Sequence, residues 1–77
     1  MMKYTVTNKN FMGTTYRQLN TIDGEPLGVT TFKVDDTGTH ITTTICGHSN
    51  TINVEGVEDM MAAIEANELY VVQKMAA

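Results

Sequence analysis

The chain has 77 residues, 42% of them apolar and 18% charged, with one Pro and no Trp; this predicts one domain, 1–77, with a small core. No apolar run approaches the roughly 20 residues of a membrane helix, and the start Met-Met-Lys-Tyr-Thr-Val-Thr has no secretory-type apolar stretch. A cytoplasmic protein that neither spans nor anchors in a membrane is expected. The net charge of −4 is unevenly spread, with no Lys or Arg between Lys33 and Lys74. Direct nucleic-acid binding, which needs clustered cations, is disfavoured.

In chain order, residues 3–7 alternate and are β-branched or aromatic, which predicts a first strand with Tyr4 and Val6 on one face. Asn8-Lys9-Asn10 is expected as a turn, followed by Phe11 and Met12 as apolar contacts. Residues 14–22 form a second strand with Tyr16 opposed to Arg17 and Leu19. Asp23-Gly24-Glu25-Pro26 breaks it. Residues 27–34 give a third strand with Phe32 and Val34 on one face, and Asp35-Asp36-Thr37-Gly38 closes a hairpin to a fourth strand, 39–46. In that strand Ile41, Thr43 and Ile45 share the core face, while His40, Thr42, Thr44 and Cys46 share the other. Gly47-His48-Ser49-Asn50 reads as a second turn before strand five, 51–54.

There the period changes. Val57, Met60, Met61 and Ile64 follow the i, i+3, i+4, i+7 spacing of one helix face. The helix is expected to start near Gly56, with Glu58 and Asp59 in its first turn, and to end near Asn67. Residues 69–75 carry β-branched and aromatic residues, and a sixth strand is expected there, with a helical extension as the competitor. The fold class is thus α+β: an antiparallel sheet of five to six strands with one C-terminal helix packed on one face.

Catalytic residues are not expected. Cys46-Gly47-His48-Ser49, with His40, lacks an evident oxyanion site and the spacing of a zinc motif, and no phosphate-binding glycine loop is present. Cys46 is the sole cysteine, so it forms no internal disulfide and reads as a small strand hydrophobe. No metal and no cofactor are expected. Two groups of residues remain as binding candidates. The acids Asp35, Asp36, Glu55, Glu58, Asp59, Glu65 and Glu68 suit a partner with a basic surface. Arg17, His40, Thr42, Thr44 and His48 are the alternative, as hydrogen-bonding groups for a nucleotide-like small ligand sequestered by a homo-oligomer. A structural subunit assembled through edge strands is a third possibility.

In size, acidity and sheet-plus-helix plan the chain resembles small phage-encoded proteins that inhibit host defence or other host machinery, such as anti-CRISPR proteins. The resemblance implies a non-catalytic inhibitor that engages a host protein. It carries over no individual residue.

Overall fold

A computed structural model describes residues 3–56 and 59–76. Five strands, β1 (Thr5–Phe11), β2 (Thr14–Asn20), β3 (Pro26–Asp35), β4 (Gly38–Ile45) and β5 (His48–Val54), precede one helix, α1 (Met60–Ala76). The strands form one antiparallel sheet in the order β1-β2-β3-β4-β5. The fold is therefore α+β, with the helix over β4 and β5. No described helix is long and apolar enough to cross a membrane.

Turn chemistry sets the meander. Phe11 pairs with Thr14 and Ile45 with His48, which leaves two-residue loops, Met12-Gly13 and Cys46-Gly47. All four residues have positive φ (51° and 84°; 48° and 85°), the signature of type I′ turns. Asn8, Lys9 and Asn10 accordingly lie inside β1, and His48, Ser49 and Asn50 inside β5, where turns were expected from their polar composition. Phe11 and Met12 stand 68% and 88% exposed at the tip of the first hairpin and supply no core contact. Cys46 is exposed in its loop and is not a strand residue. The expected Asp35–Gly38 turn is present, with Asp35 opposite Gly38.

Leu19, Ile45, Val71 and Val72 form the core, with Tyr4, Val6, Leu27 and Met75 packed around them. Gly28 is required beneath them because a Cβ there would overlap the carbonyl oxygen of Thr44. The helix does not end at Asn67, and 69–75 is not a strand; α1 continues for 17 residues, about 25 Å at 1.5 Å each. Its buried stripe is Ile64, Asn67, Glu68, Val71 and Val72, with Met75 half-buried one turn on. That i, i+3, i+4, i+7, i+8 series places both valines against the sheet, and burial of about 1.5–3 kcal/mol for such a side chain outweighs a helix-propensity deficit below about 0.7 kcal/mol.

The start of the helix also differs from expectation. Asp59, at φ 57°, precedes it, and its carbonyl accepts the first helical bond from the Ala63 amide at 3.0 Å. Met61, expected in the core, is 54% exposed. Val57 and Glu58 lie outside the described residues.

Candidate functional site

One complete rung of the sheet is polar. Asn8 pairs with Arg17, Arg17 with Thr30, Thr30 with Thr43 and Thr43 with Asn50, all on the face that meets the helix. The rungs on either side hold Val6, Leu19 and Ile45, and Phe32, Ile41 and Ile52. Asn67 and Glu68 of α1 close over this rung from opposite sides of the buried stripe.

Glu68 is fully buried, and Arg17 grips it as a fork: Nε donates to Oε2 at 2.8 Å and Nη2 to Oε1 at 3.0 Å. The Tyr4 hydroxyl donates to Oε1 at 3.0 Å. Hydrogen bonding to Glu68 raises the pKa of Arg17, whereas burial and the nearby Glu68 carboxylate push the Tyr4 phenol up to about 12.

On the other side, Asn67 Nδ2 donates to the Thr43 hydroxyl and the Asn50 carbonyl, both at 3.1 Å, and its Oδ1 accepts from Asn50 Nδ2 at 2.6 Å. The Thr43 hydroxyl, accepting from Asn67, also shares a hydrogen bond with the Thr30 hydroxyl, 2.8 Å away. Every buried side-chain nitrogen and oxygen among the described residues has a partner.

This arrangement removes two residues from the binding candidates. Glu68 is not part of an acidic surface, and Arg17 is committed to Glu68 and is not available to a phosphate. The remaining small-ligand candidates are not brought together. His40, Thr42 and Thr44 lie on the face opposite α1, while His48, opposite Ile45, lies on the helix side. Thr42 is paired with Thr51 at 2.8 Å, and Thr44 with Ser49 at 3.4 Å. His40 lies near the start of β4 and Cys46 just beyond its other end, roughly 20 Å away at about 3.3 Å per residue, too far to share a metal or a proton.

Three of the acids do converge. Asp35 and Asp36 at the β3–β4 turn and Glu55 just after β5 line one open concavity of about 600 Å³ with Val34, Thr39 and Val54. No Lys or Arg is among its lining residues. Asn53 Nδ2 donates to the Thr37 carbonyl at 3.1 Å and ties the turn to β5. Asp59 and Glu65 are exposed outside this lining, and Glu58 lies outside the described residues.

Asp35 Oδ1 accepts from the Thr37 hydroxyl at 2.6 Å and the Thr37 amide at 2.9 Å, and His40 Nε2 lies 3.1 Å away. The hydrogen bonds from Thr37, with a smaller contribution from His40, hold the Asp35 carboxyl down at about 2. A depressed folded-state value gives stability that is present above the unfolded pKa, 3.8, and lost as pH falls through about 2. Asp35→Asn is therefore expected to melt below the wild type at neutral pH and to converge with it as the pH approaches 2. Thermal unfolding of both proteins over this range checks the expectation; a constant gap down to that pH contradicts it.

No family model, curated protein or solved structure matches this chain.

Proposed function

We propose that the protein is a non-catalytic binding protein that docks a basic segment of a partner protein in the concavity at the end of the sheet. The carrying observation is the convergence of Asp35, Asp36 and Glu55, from two separate segments, around one opening whose lining contains no Lys or Arg. Val34, 76% exposed at its rim, offers apolar contact beside the charges. Such an arrangement attracts and orients a cationic partner, while the hydrogen bonds within the turn fix the Asp35 carboxylate before binding. The class of partner follows the resemblance in size, acidity and architecture: a host protein, inhibited by occupation of its basic surface.

The test is affinity capture at low salt, followed by titration of the purified partner at several salt concentrations. Asp36→Asn with Glu55→Gln is the informative variant, because Asp35 also closes its own turn. Two solvent-exposed charges contribute up to about 1 kcal/mol each, so affinity is expected to fall about tenfold and the salt dependence to flatten. Unchanged affinity and salt dependence in a folded double variant reject this docking site.

A further inference from the structure

We infer that the β5 edge and the adjoining flank of α1 form a two-fold interface with a second copy of this chain, joining two five-stranded sheets into one of ten. β5 is an outer strand, and its register with β4 runs without a shift from Thr39–Val54 to Ile45–His48. Its seven residues, His-Ser-Asn-Thr-Ile-Asn-Val, include no Lys, Arg, Asp, Glu or Pro. Edge strands are ordinarily guarded by such residues or by a bulge. β1, the opposite edge, carries Lys9.

Beside β5 runs an apolar groove of about 280 Å³ between Asn50 and Ile52 of the strand and Ala63, Ala66, Asn67 and Tyr70 of the helix. Ala63, Ala66 and Tyr70, at i, i+3 and i+7, make a single stripe, with Tyr70 45% exposed. A two-fold axis perpendicular to the sheet pairs β5 with its copy in antiparallel fashion and leaves both helices on the same face. Because α1 lies over β4 and β5 alike, the two helix axes then stand two strand spacings apart, about 10 Å, at the upper end of the 8–10 Å of packed helices.

The alanine stripes meet at that separation, so the same symmetry satisfies the strand edge and covers the groove. A single extended peptide on β5 completes the ladder but leaves the helix flank uncovered. A strip about 23 Å long and about 20 Å deep through sheet and helix buries on the order of 1,000 Å² over both copies, at the threshold of a specific interface. With −4 on each copy, an uncharged edge is also where two copies approach at least electrostatic cost. The arrangement is isologous and closes at two, so it does not propagate into a fibre.

Native mass spectrometry and sedimentation across a concentration series test this on the full chain. The wild type is expected to be a dimer at high concentration, with amides of β5 gaining protection from hydrogen exchange as it forms. Ala66→Glu combined with Thr51→Lys places like charges across the two-fold axis and is expected to weaken association about a hundredfold or more, with the far-ultraviolet circular dichroism of the monomer preserved. A wild type that stays monomeric at millimolar concentration overturns the inference. So does a folded variant that dimerises as tightly as the wild type, which places the contact elsewhere. Protection of β5 only on addition of an extended peptide, with no dimer, also overturns it.

Discussion

Arg17→Ala is expected to destabilise the protein by about 3–5 kcal/mol, because it leaves a carboxylate with no exposure to water without its cation. A chain of 77 residues has about 4–12 kcal/mol of net stability, so the loss cancels nearly all of it at the low end of that range and leaves the variant folded at the high end. The effect is asymmetric. Glu68→Ala is expected to cost less, because the Arg17 side chain retains 12% exposure and its guanidinium can turn toward water. Tyr4 donates one hydrogen bond to Glu68 but supplies no charge, and so does not compensate for Arg17. Urea unfolding of the two single variants measures the difference. Equal losses, or losses below about 1 kcal/mol, contradict the account of the pair as a buried fork. Replacing both partners, as in Arg17→Met with Glu68→Leu, is expected to recover most of the stability, since apolar groups of similar volume avoid the desolvation cost.

The second large effect is expected at Asn67. Asn67→Leu fits the apolar stripe by size, yet it takes away the partner of the Asn50 side-chain amide and one partner each from the Asn50 carbonyl and from the Thr43 hydroxyl, which keeps Thr30. At about 0.5–1.5 kcal/mol for each of the hydrogen bonds lost, a loss of about 2–4 kcal/mol is expected, again read from urea midpoints. By contrast, Thr30→Val with Thr43→Val removes both hydroxyls of one hydrogen bond; its cost is expected to be small, because the Asn67 amide keeps the Asn50 and Ile41 carbonyls as acceptors. If Asn67→Leu is as stable as the wild type, the hydrogen bonds of Asn67 contribute nothing net to stability.

The same residues give the rung a role in specificity. An entirely apolar α1 stripe packs against the sheet almost equally well after sliding one turn, about 5.4 Å. Asn67 over Thr43 and Asn50, with Glu68 over Arg17, penalises that slide because either displacement buries unpaired polar groups.

Much of the sheet was legible in the sequence. Alternation assigned Ile41, Thr43 and Ile45 to one face of β4 and Phe32 with Val34 to one face of β3, and Asp35 to Gly38 announced their turn, because period-2 patterning and turn chemistry are local. The loops Met12-Gly13 and Cys46-Gly47 were misread since the residue before each glycine is not Asn or Asp, although a lone glycine between two alternating runs marks both. The acidic concavity was half visible. Asp35 and Asp36 are consecutive, but only the return of β5 beside the β3–β4 turn brings Glu55 to them.

The sequence by itself determined the fold class, the strand faces and the acidic character of the chain, all of which follow from neighbours two to four residues apart. Only the tertiary structure decided which side of α1 is buried and how far it extends. Asn67 and Glu68 look like solvent-facing residues at the end of a helix until their partners are supplied by Thr43 and Arg17, 24 and 51 residues away. A polar residue at a core position becomes stable there when a distant polar residue meets it, and that pairing is a property of the assembled sheet and helix.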